Sequence, residues 1–402
     1  MFNSQKIILL LVIVLAAGFA GGFYFNEFSD FGTGIGRDFV NRAVGQPDGV
    51  DFSLFWNVWN QLQDKYVDSE DLNSQELLYG AIDGLVNAVG DPYTVFMQPK
   101  ESENFAQEIS GTFGGVGIEI GLRNNILTVI APIKDTPADR AGLMAGDKIV
   151  KIGDKSTESM KISEAVNLIR GPKGTPIKLT ISRGEKNSSS KEVTIVRGTI
   201  RVPTVAWKML SGDIAYIQLF VFNRNVDNDI EKAVREIQKS NARRLILDLR
   251  NNPGGLLDSA VNIAGYFIDG GLTVTEERTN DGQKQVFEAP NHGQLKNYPL
   301  VILINKGSAS ASEILAGAIK DHRGVLLVGE KSFGKGSVQE VSELPGKSSL
   351  KVTVAKWFTP KGTSINDNGI EPDYSVERTE DDINNERDPQ LDKAEELVRG
   401  LR

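Results

Sequence analysis

The spacing of apolar positions predicts a helical region followed by a region of short strands. Between residues 53 and 89, apolar side chains recur every three or four residues, as in amphipathic helices. Beyond residue 92 they fall in short runs typical of β-strands, interrupted by one stretch of helical spacing. The strands are predicted at 116–120, 126–130, 148–152, 176–182 and 191–196, and the helix at 162–169.

From about residue 204 onward the pattern alternates between strands and helices. The run 299–304 is wholly apolar and the run 244–249 is mostly so, which is typical of parallel strands covered on both faces. A helical pattern follows each run, at 256–268 and 310–321. Further strands are predicted at 214–222, 324–328, 337–341 and 349–356, and a further helix at 226–240. This alternation predicts an α/β core.

The N-terminus carries a separate hydrophobic run. Residues 7–25 contain no charged side chain and follow Lys6. At about 1.5 Å per helical residue, the run approaches the ~30 Å hydrocarbon core of a bilayer. Three interpretations are open: a retained membrane anchor, a cleaved signal peptide and a buried helix. The first two place the rest of the chain outside the cytoplasm. Residues 29–49 have little periodicity and are predicted to be a linker.

Composition narrows the function classes. The chain has 402 residues, enough for two or three domains, with 40% hydrophobic and 24% charged residues, as in ordinary globular proteins. A formal charge of -8 provides no basic field for a phosphate backbone, so nucleic acid is not an expected partner. The absence of cysteine excludes disulfides, cysteine nucleophiles and thiolate metal sites. No His/Asp/Glu cluster has metal-ligand spacing, so we expect no metal and no cofactor.

The loops after the two buried strands are the expected location of a site, because ligands of open α/β sheets bind beyond the carboxyl ends of the strands. The first loop is Arg250-Asn-Asn-Pro-Gly-Gly255. Its glycines allow backbone N–H groups to face an approaching oxygen, and the following helix adds positive potential. An oxyanion site can be built in this way. A plain tight turn would have the same composition.

The second loop, Lys306-Gly-Ser-Ala-Ser-Ala-Ser-Glu313, also leads from a strand into a helix. A hydroxyl at a helix N-terminus is exposed, and the helix dipole favours its developing negative charge, as a nucleophilic serine requires. Ser310 and Glu313 also have the spacing of a capping box, which would explain the serine without catalysis. The residues alone do not rank Ser308, Ser310 and Ser312.

A serine nucleophile needs a base. His292 lies in a polar loop, and His322 is about three helical turns beyond Ser310, too far for local contact. Lys335 remains, with a glycine on each side that suits a buried amine. To act near neutral pH its pKa must fall from ~10.4 towards ~7 to 8, which burial can achieve. The segment nearly matches a phosphate-binding loop, but Gly336 replaces the Ser/Thr that would hold magnesium, so we reject that interpretation.

Three separated motifs resemble those of the carboxyl-terminal processing peptidases. They are Asn252-Pro-Gly-Gly255, Gly307-Ser-Ala-Ser-Ala-Ser-Glu313, and Phe333-Gly-Lys-Gly336 followed by Gln339. The resemblance covers about residues 50–376 and implies a peptidase core of the ClpP/crotonase-like type.

This resemblance also implies roles for individual residues. Ser310 would be the nucleophile, Lys335 the base, and Gln339 the residue that orients the lysine. The oxyanion donors would be the backbone N–H groups of Ala311, Gly254 and Gly255. Asp321 matches an acidic position of the family to which we assign no role.

Residues from about 103 to 197 resemble a PDZ domain. The helix at 162–169 would form one wall of its groove, and the strand edge beginning at 116 would accept a peptide as a further strand. Consecutive N–H groups would capture the terminal carboxylate. Arg170, at the end of that helix, would be a regulatory contact between this domain and the catalytic cleft. The peptide-binding residues would be Phe113, Gly114, Gly115, Val116, Gly117 and Ile118.

The predicted organisation is α/β and multidomain. Its segments are a signal anchor or signal peptide at 1–28, a linker at 29–49, a small helical domain at 50–102, a PDZ-like domain at 103–198, an α/β serine peptidase core at 199–376 and an acidic tail with a helix at 377–402. We expect the tail helix, at 391–401, to be solvated or to contact a second copy of the chain in a homodimer.

The predicted function is that of a serine endopeptidase, membrane-anchored or exported, whose catalytic part is periplasmic or at the cell surface. It would cleave protein substrates near exposed apolar C-termini after the PDZ domain binds the tail. Two alternatives remain. One is a peptide-binding scaffold with an inert α/β region, and the other is a hydrolase of small acyl substrates, which would not respond to a blocked peptide C-terminus.

Overall fold

The computed structural model describes residues 49–123, 126–133, 135–183, 190–379, 381–382 and 385–401. The chain divides into two compact units, residues 1–77 and 78–402. The predicted membrane segment at 7–25, and nearly all of the predicted linker, lie outside the described residues. Within the described ranges, no helix combines the length and the apolar character needed to cross a bilayer.

In the first unit the structure describes helix α1, Ser53–Lys65, and a 3₁₀ turn, Ser69–Asp71. This helix confirms the prediction that was made from the helical spacing of apolar residues after residue 53. Its aromatic residues contact one another, with the Phe55 ring centroid 4.9 Å from that of Trp56 and 5.9 Å from that of Trp59.

The remaining elements alternate between helices and short strands. The helices are α2 Ser74–Asn87, α3 Pro99–Ser110, α4 Pro137–Arg140, α5 Ile162–Ile169, α6 Val226–Lys239, α7 Leu257–Phe267, α8 Ala311–Arg323 and α9 Pro389–Gly400, with a 3₁₀ turn at Pro345–Lys347. The first nine strands are β1 Val95–Met97, β2 Thr112–Gly115, β3 Ile118–Arg123, β4 Ile126–Pro132, β5 Lys148–Ile152, β6 Lys155–Ser156, β7 Pro176–Ser182, β8 Ser190–Val196 and β9 Gly198–Arg201. The others are β10 Val205–Met209, β11 Ile214–Leu219, β12 Arg244–Asp248, β13 Thr273–Thr279, β14 Lys284–Glu288, β15 Leu300–Ile304, β16 Leu326–Gly329, β17 Ser337–Glu343, β18 Ser349–Phe358 and β19 Tyr374–Ser375.

The predicted β domain forms a sheet in the order β3-β4-β5-β7-β8, with β6 paired to β5. Its core is made by alternate residues of the strands, among them Val129, Ile149 and Leu179, which are fully buried with Ala165 of α5. Strand β3 lies at the edge of this sheet and α5 lies beside it, so the backbone of β3 is open to pairing on one side.

The peptidase region is built on a six-stranded sheet in the order β10-β11-β12-β15-β16-β19. Only β10 runs antiparallel to its neighbour, which confirms the α/β core. The runs predicted as buried strands are covered on both faces: Leu245 and Leu247 of β12 pack with α6, α7 and α8, whereas Ile246 packs with α9. Because β12 and β15 are parallel neighbours, the two loops singled out in the sequence lie at the same edge of the sheet.

The expectation of a solvated tail helix is wrong, whereas a contact of this helix with a second copy of the chain stays a prediction. Ala394 and Val398 of α9 are fully buried against the face of the sheet formed by Ile246, Val301 and Val328. The helix carries few apolar residues, but their spacing places them on one face, and this face of the sheet needs a cover.

A second sheet, in the order β1-β18-β13-β14 with β17 also paired to β18, carries the lysine segment. Strands β17 and β18 confirm the strands predicted at 337–341 and 349–356, whereas strands β1, β13 and β14 were not predicted from the sequence. Strand β1 has three residues and pairs with β18 in the register Val95↔Lys351. So short a run has no period of its own, and pairing with a distant strand defines it.

Candidate active site

Strand β15 and helix α8 bring the serine loop to the edge of the central sheet. Ser308 and Ser312 are fully buried, and their hydroxyls donate to the carbonyls of Leu249 and Asn252 at 2.8 Å each. Ser310 is only half-buried, so it is the accessible serine of the three. The structure thereby separates residues that the sequence pattern left equal.

The backbone of Ser310 is strained. Its φ and ψ are 56° and -117°, a region that residues with a side chain rarely adopt and that costs about 1–3 kcal/mol. Ser310 and Glu313 do form the predicted capping box, in which Glu313 Oε2 accepts the Ser310 N–H at 2.7 Å. An ordinary N-cap residue has extended dihedral angles, so capping alone does not explain this conformation. A strained strand-to-helix turn is how other hydrolases expose a nucleophilic serine.

The glycine turn after β12 lies against Ser310. Gly254 has a φ of 93°, and a Cβ built on it would lie 2.8 Å from the Ser310 Cβ and 2.9 Å from the Ala311 nitrogen. The Gly254 N–H donates within its own turn, to Asn252 Oδ1 at 2.9 Å. Among the described residues, the N–H groups of Gly255 and Ala311 meet no hydrogen-bond acceptor. These are the unpaired backbone donors that an oxyanion site requires.

Hydrogen bonds fasten the glycine turn to the serine loop. Asn252 is fully buried, and its side chain donates to the Leu219 carbonyl at 2.9 Å. Its own carbonyl accepts from the Ala309 N–H at 3.0 Å and from the Ser312 hydroxyl at 2.8 Å. The two loops therefore form one hydrogen-bonded unit.

An ion pair between a buried arginine and a half-buried aspartate connects this unit to the C-terminal tail. Arg250 is 9% exposed and lies between Asp248, at the end of β12, and Asp388, just before α9. It donates to Asp388 at 2.8 and 2.9 Å and to Gln390 Oε1 at 2.9 Å. Burial acts to raise the pKa of Asp388, but the hydrogen bonds and charge of Arg250 outweigh it and hold that pKa below its ordinary value. The sequence interpretation missed Asp388, because nothing local to residue 388 indicates a partner near residue 250.

Glu313 joins the serine loop to the lysine loop. It is 1% exposed, and its Oε1 accepts from the Ser332 hydroxyl at 2.6 Å and the Gly334 N–H at 2.7 Å. Its Oε2 accepts from the N–H groups of Ser310, at 2.7 Å, and Lys335, at 3.0 Å. Burial raises the pKa of Glu313, and the four donors oppose that rise because they favour the carboxylate. The capping-box pattern signalled this residue, but not its role between the loops.

The backbone N–H of Lys335 is held by a hydrogen bond to Glu313, whereas its amine contacts an aromatic ring. The side chain is half-buried, and its Nζ lies 5.0 Å from the ring centroid of Tyr93. Burial, and then the charge of Lys351, lower the pKa of Lys335, while Asp91 and Glu313 act to raise it. In the part of the chain that the structure describes, this Nζ donates no hydrogen bond. Tyr93 was not singled out in the sequence.

The remaining candidates near this site occupy separate positions. Gln339 of β17 donates from Nε2 to Ser337 Oγ at 2.6 Å and to the Ser337 carbonyl at 3.1 Å. Neither histidine bonds Ser310: His292 contacts Asn262 Oδ1 at 2.8 Å, and His322 contacts the Thr273 carbonyl at 2.6 Å. Asp321 lies in the last turns of α8, where it accepts the Lys361 N–H at 2.9 Å.

A groove with a volume of about 170 Å³ lies between β3 and α5, at the place where the sequence predicts peptide binding. Among the described residues, the N–H groups of Val116 and Gly117 meet no acceptor, as a carboxylate-binding loop requires. Gly114 does not line the groove, and its carbonyl accepts the Gly171 N–H at 3.0 Å. The lining residues are Phe113, Gly115, Val116, Gly117, Ile118, Ile120, Ile162, Val166, Ile169 and Arg170.

Arg170 lies where this groove meets helix α3. Its guanidinium carbon is 4.3 Å from the ring centroid of Phe113, and its Nη1 is 4.0 Å from Glu108 Oε1 on α3. The side chain thus contacts the carboxylate-binding loop on one side and the helix that precedes the domain on the other.

Three family models match successive parts of the chain. Residues 35–101 match the activating protease CtpB N-terminal domain, residues 128–183 match the PDZ domain, and residues 213–376 match peptidase family S41.

Several relatives match most of the length of this chain. A carboxy-terminal-processing protease of Bartonella bacilliformis is 39% identical over 328 residues, which are 81% of this chain and 74% of the relative. The carboxy-terminal processing protease CtpA of Bacillus subtilis is 36% identical over 326 residues, 81% of this chain and 69% of the relative. A probable CtpA-like serine protease of Staphylococcus saprophyticus is 36% identical over 93% of this chain and 74% of its own length.

Solved structures agree with these relatives. A photosystem II D1 C-terminal processing protease is 30% identical, covers 82% of this chain and 89% of its own, and superposes with a TM-score of 0.50. An S41 protease of Bacteroides fragilis, 15% identical with a TM-score of 0.56 over 89% of this chain and all of its own, shares the fold. The chain therefore belongs to peptidase family S41, and within it to the carboxy-terminal processing proteases, which are serine peptidases.

Proposed function

We propose that the chain is an endopeptidase with a Ser310–Lys335 dyad, which cleaves protein substrates near their C-termini after its PDZ domain has bound the tail. The observation that carries this proposal is the arrangement around Glu313. One buried carboxylate binds the N–H groups of Ser310 and Lys335, so the strained, accessible serine and the half-buried lysine belong to one connected unit.

In the proposed reaction, Lys335 takes the proton of the Ser310 hydroxyl while Oγ attacks the scissile carbonyl. The N–H groups of Gly255 and Ala311 stabilise the oxyanion, since both lack acceptors. The protonated lysine then gives its proton to the leaving amine, and water releases the acyl-enzyme. A lysine can act as a base near neutral pH only when its pKa is lowered, and burial acts on Lys335 in that direction.

Gln339 is proposed to orient the lysine through its amide oxygen. Its Nε2 already donates to Ser337 at 2.6 and 3.1 Å, which fixes the amide and leaves Oε1 as an acceptor. Because Nζ has no hydrogen-bond acceptor among the described residues, this contact would form as the substrate arrives.

The groove between β3 and α5 is proposed to bind the substrate's C-terminal tail. An edge strand offers backbone pairing, the N–H groups of Val116 and Gly117 offer a carboxylate site, and the apolar lining favours apolar tails. Arg170 is proposed to transmit tail binding, since it contacts both Phe113 and Glu108.

The proposed location is outside the cytoplasm, with residues 7–25 as an anchor or a cleaved signal peptide. The support is their hydrophobic run after Lys6. Protease treatment of spheroplasts tests it, since a cytoplasmic catalytic part would stay protected by the inner membrane while one outside that membrane is digested or released into the medium.

Cleavage of an unfolded protein with an apolar C-terminus tests the proposed reaction. Ser310→Ala and Lys335→Ala should each lower kcat by at least about 10³-fold, with circular dichroism unchanged. Lys331→Ala is the matched control, because Lys331 lies in the same loop but forms an exposed ion pair with Glu371. Amidating the substrate's C-terminus should raise KM. Tail binding without cleavage by the wild type would instead favour the scaffold.

A further inference from the structure

We propose that Tyr93 is a positioning residue for Lys335, because the face of its ring contacts the lysine amine and restricts where the amine can lie. This rests on the proposed role of Lys335 as the base. The only contact described for Nζ is this ring, at 5.0 Å from the centroid, and no hydrogen bond fixes the amine among the described residues. An aromatic ring beside an amine restrains the side chain by packing, and it shields the amine from water, which disfavours the charged form.

The segment that carries Tyr93 is attached to the lysine sheet. Asp91 accepts from the Thr94 hydroxyl at 2.6 Å, from the Thr353 hydroxyl at 2.5 Å and from the Tyr93 N–H at 3.1 Å. The Thr353 N–H in turn donates to Thr94 Oγ1 at 3.1 Å. Thr94 is 4% exposed, whereas Asp91, Tyr93 and Thr353 are half-buried, so this network is partly shielded from water.

Strand pairing puts this anchor next to the catalytic strand. Val95 of β1 pairs with Lys351 of β18, and Thr353 of the same strand pairs with Gln339 of β17. Strand β17 begins two residues after Lys335. Tyr93 therefore reaches the lysine from the opposite side of β18, on a segment that precedes the PDZ domain in the sequence.

The ring has two effects on the amine. It limits the directions in which a four-carbon side chain can point, and it excludes water from a group whose burial is the main cause of its lowered pKa. The charged groups that face Lys335 are Lys351 from β18, Asp91 from the loop before β1 and Glu313 from α8, and none of them changes if only the ring is removed. The Tyr93 hydroxyl makes no hydrogen bond among the described residues, so the ring and not the hydroxyl should matter.

The experiment compares Tyr93→Phe, Tyr93→Ala and Tyr93→Leu in the full chain, with Tyr79→Leu as the matched control. Tyr79 packs beside the same segment, with its ring centroid 5.8 Å from that of Phe96, and no contact of Tyr79 with Lys335 is among the described ones. Tyr93→Phe and Tyr79→Leu should stay within about twofold of wild-type kcat, whereas Tyr93→Ala should lose at least about tenfold with KM little changed. Its acid limb of kcat/KM should move to higher pH. If Tyr93→Ala does not fold, the Leu variant carries the kcat test.

A readout that does not depend on activity separates this inference from the proposed function. Competitive acetylation of Lys335 across pH, followed by peptide mass spectrometry, reports the pKa of its amine. A higher pKa of Lys335 in Tyr93→Ala supports the positioning role of Tyr93. This holds even if Lys335→Ala retains activity, in which case only the proposed dyad would fail. An unchanged labelling profile and unchanged kcat would overturn the inference. So would a rise in kcat, because the ring would then hold the amine away from Ser310.

Discussion

The nucleophile side and the base side of the candidate site are held in different ways. Ser310 lies in a strained turn whose neighbours are tied by hydrogen bonds through Asn252 and supported by the ion pair between Arg250 and Asp388. On the other side, Glu313 fixes the backbone of Lys335, but its amine rests on the Tyr93 ring without a hydrogen bond among the described residues.

This difference matches what each side must do. An attacking oxygen and its oxyanion donors have to be in place before the reaction, because their catalytic effect comes from prearranged geometry. A lysine that accepts and then returns a proton needs a lowered pKa and some freedom of movement. Changes on the nucleophile side should therefore alter kcat and stability, whereas changes on the base side should alter the pH profile in addition to kcat.

Outside the proposed dyad itself, the largest effect is expected from Gly254→Ala. A Cβ there would lie 2.6 Å from the Ala309 carbonyl oxygen and 2.8 Å from the Ser310 Cβ, so the glycine turn and the serine loop must separate. We expect kcat to fall at least about 100-fold, because a displacement near 1 Å is enough for such a loss.

Gly271→Ala is the control for this substitution. Gly271 has a φ of 79°, close to that of Gly254, and a Cβ would have no neighbour within 4 Å. In both variants an alanine with left-handed dihedral angles costs about 1–2 kcal/mol of stability. Any additional loss of kcat in Gly254→Ala therefore reports the clash. Equal kcat in the two variants, measured on the same substrate, would contradict the close packing at the turn.

Asp388→Asn should have the next largest effect, mainly on stability. Asparagine can still cap α9, where Asp388 accepts the Leu391 N–H at 3.0 Å, but it leaves Arg250 with less charge compensation. We expect the free energy of unfolding, measured in urea at pH 7, to fall by about 3 kcal/mol. Glu395→Gln is the matched control: Glu395 is 23% exposed against 22% for Asp388, but its partner Arg399 is 43% exposed, so its effect should stay below about 1 kcal/mol.

The pH dependence gives this prediction a second test. The pKa of Asp388 is lowered in the folded protein, so its contribution is complete above its unfolded value of ~3.9 and disappears as the pH falls through the folded value. The difference between the wild type and Asp388→Asn should therefore shrink below about pH 4. A difference that stays constant down to pH 3 would show that the charge of Asp388 is not its cause.

The smallest effect is expected from Lys351→Ala, on the base side. The charge of Lys351 helps to lower the pKa of Lys335, so its removal should raise that pKa and move the acid limb of kcat/KM to higher pH. The plateau value of kcat/KM should change less than about twofold. The shift of the acid limb should be smaller in high salt, because salt screens the charge of Lys351. Lys331→Ala serves again as the control, and an acid limb that moves equally in both variants would exclude a specific effect of Lys351.

Much of the fold was predictable because its pattern is local. The apolar runs of β12 and β15, the amphipathic helices after them and the 162–169 helix of the PDZ domain were found within a few residues of their observed ends. The three-residue β1 and the partly exposed β14 were missed, since their pairing with β18 and β13 gives them their structure. Helix α9 was identified, but its place on the central sheet was not, because a helix pattern does not specify its partner.

The sequence by itself determined the family, the motif residues and their order, since the spacing of the Ser, Lys and Gly motifs is written along the chain. Only the tertiary structure decided which serine is accessible, because Ser308 and Ser312 are buried by contacts with residues about 60 positions away. It also decided the surroundings of Lys335. Tyr93 and Asp91 lie more than 200 residues upstream and reach the lysine through β18, and burial, which lowers the pKa of an amine, exists only once those distant segments pack together.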